Sequence, residues 1–151
     1  MKRLILMRGL SGSGKSTKAR LLAKEYGGII FSTDNFFYKN GIYSFDASKL
    51  ALYHQKTQRL AQKAMKKNTP CVIIDNTNSQ LRAMRIYVKI ALQYGYEVFF
   101  AYPHTDWAWN VAECFQKNTH KVPFEIIEKT FHGFEYPNEY DIPLEKILES
   151  S

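Results

Sequence analysis

Gly9-Leu10-Ser11-Gly12-Ser13-Gly14-Lys15-Ser16 fits the pattern G-x-x-x-x-G-K-[ST], the phosphate-binding loop. The apolar run Leu4-Ile5-Leu6-Met7 before it reads as a buried parallel strand. Lys18-Ala19-Arg20-Leu21-Leu22-Ala23-Lys24 after it reads as a helix that ends near Gly27-Gly28. Strand, glycine-rich turn and helix are the context this loop needs. Gly9, Gly12 and Gly14 let main-chain N–H groups approach phosphate oxygens, and the helix start adds its positive dipole end. Ser11, Ser13 and Thr17 belong to the same nucleotide-binding set. Lys15 is placed as a point charge for the β- and γ-phosphates, and the Ser16 hydroxyl as a Mg²⁺ ligand.

A chain of 151 residues with 45% hydrophobic content predicts one globular domain over 1–151 with a real core. No apolar run approaches the ~18 residues of a membrane span, so no membrane partner is expected. The N-terminal apolar run leads straight into the phosphate loop and reads as a strand, not a signal peptide. Cys71 and Cys114 are too few for a disulfide framework and lack metal-site spacing, which suits an intracellular protein, cytoplasmic or nuclear. Net charge is +7 but uneven: residues 1–100 carry 17 Lys/Arg against 5 Asp/Glu, and residues 101–151 carry 4 against 9. A basic body suits a polyanion such as nucleic acid; the bland alternative is a lysine-rich solvated surface.

Ile29-Ile30-Phe31 is the second strand candidate, ending in Ser32-Thr33-Asp34-Asn35. Ligands of open α/β sheets sit beyond the carboxyl ends of strands, so Asp34 is expected to face the crevice of the phosphate loop. Residues 36–46 read as a loop with two short extended pieces around the turn Asn40-Gly41, and Asp46 as an N-cap. A helix is predicted over about 47–67, with Lys56, Arg59, Lys63, Lys66 and Lys67 sharing a face. Cys71–Ile74 is the third strand, and Ser79 is expected to cap a helix to Tyr94 that carries Arg82, Arg85 and Lys89. Val98–Tyr102 is the fourth strand. Short helices are predicted near 107–115, from Pro123 to about 131–133, and after Asp141-Ile142-Pro143. A lid is expected at about 116–123 and an acidic C-terminal tail at about 134–151. The alternation predicts an α/β fold of the P-loop nucleoside-triphosphate hydrolase/kinase type, a parallel sheet of four or five strands flanked by helices.

Four signals now stand in order: GLSGSGKST at 9–17, STDNFF at 32–37, IIDNTN at 73–78 and QKNTHKVP at 116–123. The series resembles the 5′-hydroxyl polynucleotide kinase family and the small P-loop kinase (AAA-type ATP-binding) domains related to it, over residues 1 to about 132. The resemblance implies ATP and Mg²⁺, and phosphorylation of the 5′-hydroxyl end of a single-stranded DNA or RNA. By the same resemblance Asp34 matches the general base and Asp75 an acidic active-site position. Asn76 and Asn78 belong to that motif, and His120 to the lid stretch; both asparagines and His120 are assigned to the substrate side. Lys117 stands where the family usually has a lid arginine, with Lys121 beside it. Phe37 occupies the substrate-side position that holds an arginine in phage-type members. Lysine carries charge without arginine's planar fork, so neither lid lysine is an equivalent of arginine.

Each residue also has a plainer reading. Asp34 is either a base or an ordinary turn residue, and Asp75 either touches the Mg²⁺ shell or forms a turn. Phe36, Phe37, Tyr38 and Tyr43 either stack a terminal base or pack a loop onto the sheet. Three functions compete: a polynucleotide 5′-hydroxyl kinase, a small-molecule kinase acting on a nucleoside or metabolite, and a non-catalytic ATP-binding module.

Overall fold

The computed structural model describes residues 1–151. Its centre is a four-stranded parallel sheet of β1 (Arg3–Met7), β2 (Ile29–Phe31), β5 (Cys71–Ile74) and β6 (Glu97–Ala101), in the order β2-β5-β1-β6. The strand count is at the lower end of the expected four or five. Side chains of β1 alternate between the faces. Leu4 and Leu6 enter one core, and Ile5 and Met7 enter another. Burial on both faces is why the strand reads as a continuous apolar run rather than an alternating one.

α1 (Lys15–Tyr26) covers the Ile5 face. It closes at Gly27, whose φ of 65° belongs to the left-handed C-cap conformation that glycine adopts without strain. α2 (Leu50–Lys66) and α3 (Leu81–Gln93) cover the Leu4 face side by side. α3 buries Leu81, Met84, Tyr87, Val88, Ile90 and Ala91, the i, i+3, i+4 stripe of an amphipathic helix. Each of its large apolar side chains contributes about 1.5–3 kcal/mol of burial. Between β2 and α2, a short 3₁₀ turn and the hairpin β3 (Tyr38–Lys39) and β4 (Ile42–Tyr43) form the loop expected there. Asn40 and Gly41 at its tip have φ of 54° and 78°, the paired positive values of a tight hairpin turn. Asp46 caps the next turn by accepting from Ser48 N at 3.0 Å.

Three expectations need correction. Ser79 does not cap α3; the Leu81 amide is taken by Glu135 Oε1 at 2.8 Å, a cap reaching in from 54 residues away. The short helix expected near 107–115 is α4 (Val111–Lys117), because Asn110 accepts from Glu113 N and sets the start there. Most significantly, the acidic segment 134–151, expected as a tail with a final short helix, forms that helix and docks on the body. After α5 (Phe124–His132), it buries Phe134, Ile142 and Ile147, and its α6 (Leu144–Glu149) packs on α3. Apart from Glu135, which caps α3, its acids are exposed while its apolar residues complete the core.

Candidate active site

The loop Gly9–Ser16 follows β1 and wraps the start of α1. Gly12 and Gly14 have φ of 82° and 95°. A Cβ at Gly12 would run into the Cys114 carbonyl, and one at Gly14 would lie 2.7 Å from Thr105 Cγ2. Two side chains brace the loop from behind: Thr105 Oγ1 donates to Ser13 O at 2.8 Å, and Trp107 Nε1 to Gly12 O at 3.0 Å. The amides of Gly12, Gly14, Lys15, Ser16 and Thr17 find no acceptor within the protein. A run of free N–H groups at a helix start is the donor set a polyphosphate requires, so the loop fits the nucleotide the sequence implies.

Lys15 Nζ lies 3.0 Å from Asp75 Oδ1, and Ser16 Oγ donates to Asp75 Oδ2 at 2.7 Å. Asp75 stands at the end of β5, the neighbour of β1, which is why 60 residues of separation close to contact. Ser16 and Asp75 together offer hard oxygens on one spot. Mg²⁺ takes few protein ligands and completes its shell with phosphates and water, so this pair suits it. The cleft is about 330 Å³. Its wall includes Ser11, Gly12, Gly14, Lys15, Ser16 and Thr17, and across from them Asp34, Asp75, Lys117 and His120.

Asp34 is held in place through its neighbour. Thr33 N donates to Asn76 Oδ1 at 3.0 Å, and Thr33 Oγ1 meets Thr57 Oγ1 at 2.9 Å and His54 Nδ1 at 3.2 Å. The Asp34 carboxylate is 43% exposed. Tyr43 OH donates to its Oδ1 at 3.2 Å, and His120 Nε2 lies 3.8 Å from its Oδ2. Burial, followed by the nearby Asp34 charge, pushes the Tyr43 phenol far above its ordinary pKa, so it stays a donor. The His120 ring packs on Tyr43 at 4.5 Å between centroids and meets Tyr38 OH at 3.2 Å through Nδ1. Asn118 ties the lid: its Oδ1 accepts from Val122 N at 2.7 Å. Lys117 rests over the Trp107 ring, 4.3 Å from its centroid.

Several expected contacts fall elsewhere. Phe37 is 1% exposed and packs on Phe45 and Tyr53, so it is core rather than a substrate contact. Asn78 is buried and donates to Met7 O at 2.7 Å, a brace between strand ends. Asn76 Oδ1 is spent on Thr33 N. Gly9 N is bonded to Thr77 O, and Ser13 N to Leu10 O, with the Ser13 side chain fully buried; neither faces the cleft. Lys121 is exposed outside the cleft wall.

Sequence reasoning missed Tyr43 as a partner of Asp34, Thr105 and Trp107 as braces, and Arg8. Arg8 is fully buried with no carboxylate partner. Its guanidinium donates to the carbonyls of Asn78, Ser79, Glu135 and Tyr136 and to Tyr102 OH. Burial pulls its pKa down, partly offset by Tyr102. A charged residue inside the apolar start of a strand-loop unit was the available signal.

The AAA domain family matches residues 4–136. NEDD4-binding protein 2 of Homo sapiens is 40% identical over 133 residues, 87% of this chain, which spans 8% of that protein. A chain of the Pnkp1/Rnl/Hen1 RNA repair complex superposes with a TM-score of 0.69 at 22% identity, over 89% of this chain and 44% of its own. A gluconokinase from Sinorhizobium meliloti 1021 superposes with a TM-score of 0.56 at 16% identity, over 97% of this chain and 87% of its own. At these identities the two structures establish a shared fold. That fold, joined to the family match and the phosphate loop, means the chain belongs to the AAA domain family and is built as a P-loop kinase domain.

Proposed function

We propose that the chain transfers the γ-phosphate of ATP to the 5′-hydroxyl end of a DNA or RNA strand. The observation that carries this reading is the open Asp34 carboxylate in the same cleft wall as Lys15, Ser16 and Asp75. Lys15 and the free loop amides bind the phosphates, and Ser16 with Asp75 holds Mg²⁺, which supplies charge neutralisation when bound. The acceptor hydroxyl gives its proton to an Asp34 oxygen as its own oxygen attacks the γ-phosphorus; the bond from phosphorus to the bridging oxygen breaks, and ADP leaves. Tyr43 and His120 hold the carboxylate toward the acceptor. Lys117, resting on Trp107, supplies further positive charge at the lid side.

A strand end is favoured over a free metabolite by the basic body of residues 1–100. The RNA repair complex among the fold relatives points the same way. A small-molecule acceptor is the second reading, favoured by the wall of Tyr38, Tyr43 and His120 around Asp34, which suits one ring. One assay separates them: Mg²⁺, γ-labelled ATP and a 5′-hydroxyl oligonucleotide, beside a nucleoside and sugar panel. Label on the oligonucleotide that vanishes in Asp34→Asn and Lys15→Ala supports the first. Label on small acceptors alone moves the assignment to the second, and ATP binding without transfer leaves a binding module.

A further inference from the structure

Between Asp46 and Glu97 the chain carries nine lysines and arginines and one acid, Asp75, which Lys15 and Ser16 already hold. None of the nine is in an ion pair; the chain's two pairs are Lys15–Asp75 and His120–Asp34. Four of the nine line two adjoining hollows, Arg59 and Lys89 one and Arg82 and Arg85 the other. On α2, Gln55, Gln58, Arg59 and Gln62 follow the i, i+3, i+4, i+7 spacing of a single ridge. On α3, Lys89 and Gln93 face them across the trough, while Arg82 and Arg85 line the hollow beyond, Arg85 donating through Nε to Leu148 O at 2.9 Å.

Both helices start at the crevice edge of the sheet, α2 after the hairpin that follows β2 and α3 after β5. The trough of about 410 Å³ between them therefore lies away from the crevice. At Gln58 and Ile86 it joins a second hollow of about 510 Å³ that reaches Asn76, Thr77 and His54. His54 Nδ1 contacts Thr33 Oγ1, one residue from Asp34. The second hollow shares Thr77 with the cleft that holds Asp34, so the three hollows follow one another from that cleft down the length of α3. Lys56, in contrast, turns toward Phe36 and Tyr53, so the lysine stripe of α2 divides.

We propose that this series of hollows is the track of the acceptor strand: a single-stranded nucleic acid with its 5′ end at Asp34 and its following phosphates running along the trough of α2 and α3 toward Gln93. The inference rests on the polynucleotide reading above. Arginine and lysine meet phosphates, and glutamine amides, which both donate and accept, meet sugar and base edges. No aspartate or glutamate lines either hollow, and Ser150 and Ser151 close one side of the second. No aromatic ring lines the far trough, so the grip there falls on the backbone and tolerates any sequence. α2 and α3 are in direct contact, so the strand lies along the surface of the trough and not between the helices. Arg82 to Gln93 spans about 16 Å of helix, room for several nucleotides of a single strand.

The test uses 5′-hydroxyl oligothymidylates of two and eight nucleotides, with transfer from γ-labelled ATP and anisotropy of a 3′ fluorophore read in parallel. Wild type is expected to show a KM at least tenfold lower for the eight-mer. Arg59→Glu with Lys89→Glu is expected to erase that advantage, and the milder Arg59→Gln with Lys89→Gln to halve it on a logarithmic scale. Lys24→Glu with Lys129→Glu, the same charge change on α1 and α5, is expected to keep it. The slope of log affinity against log salt falls by about 1.4 in the reversal pair, the value for two phosphate contacts on a single strand. Photocrosslinks from 4-thiothymidine at the second and fifth positions are expected near His54–Arg82 and Lys89–Gln93, respectively. Transfer with equal KM at both lengths, or a reversal pair that behaves like the α1/α5 pair, overturns the track and leaves the kinase reading standing. Absence of transfer to either oligonucleotide overturns both.

Discussion

Ser16 Oγ donates to Asp75 Oδ2 at 2.7 Å, joining the first turn of α1 to the end of β5. The other oxygen of that carboxylate holds Lys15, and the side chains of Lys15 and Asp75 are 11% and 7% exposed. Asp75→Asn leaves a nearly buried ammonium without its counter-charge. Removing one partner of a buried pair costs about 3 kcal/mol. The expected result is a loss of that size in urea unfolding at neutral pH, with transfer slowed on the order of 10²-fold. A variant as stable and as active as wild type would show that the carboxylate serves neither purpose.

Tyr43→Phe keeps the ring that packs on Phe37 and His120 and removes only the donor to Asp34. A hydrogen bond to a charged group contributes about 1.5 kcal/mol at the low end, which is roughly tenfold in rate. Single-turnover transfer is expected to slow by that factor with ATP affinity unchanged.

His54 is a neutral group by environment: burial lowers its pKa, with a smaller opposing pull from Asp34. The unfolded chain therefore binds a proton more readily than the native one as pH drops below about 6.5. Stability from this residue is present above that pH and declines as the pH falls toward the lowered native value, by at most about 1.4 kcal/mol per pH unit. Urea midpoints measured at pH 7.5 and 5.5 should differ more for wild type than for His54→Gln.

Arg8→Met strips donors from four carbonyls and the Tyr102 hydroxyl, two of these bonds buried and three partly so. The expected cost is about 3–5 kcal/mol, read as a lower urea midpoint. Arg8→Lys is not expected to restore it, since an ammonium cannot fan out to five acceptors.

The donor half of the site was legible because its chemistry is local. Glycine spacing, Lys15 and Ser16 sit within one turn of chain, and the flanking apolar run and helix pattern state where the turn occurs. The strand-end aspartates were legible for a related reason: an α/β sheet sends every strand's carboxyl end to one crevice, so Asp34 and Asp75 were placed by topology alone. What failed was anything that depends on where a side chain turns. Phe37 and Asn78 stand inside motifs that face the crevice, yet one is packed under the hairpin and the other bonded to Met7 O. Long-range partners were invisible as well. Glu135 capping α3 and Trp107 bracing Gly12 join segments that no spacing rule connects. The segment after 133 read as a tail because its acids outnumber its anchors, although Ile142 and Ile147 suffice to dock it.

Arg8 gives the molecule a schedule. It precedes the phosphate loop by one residue, and two of its acceptors, the carbonyls of Glu135 and Tyr136, are among the last parts of the fold to be made. At about 5–20 residues per second, roughly 6–25 s separate synthesis of the arginine from synthesis of those carbonyls. Until they are made, the guanidinium has only Asn78, Ser79 and Tyr102 among its native acceptors. The loop is thus made well before the carbonyls that anchor its base.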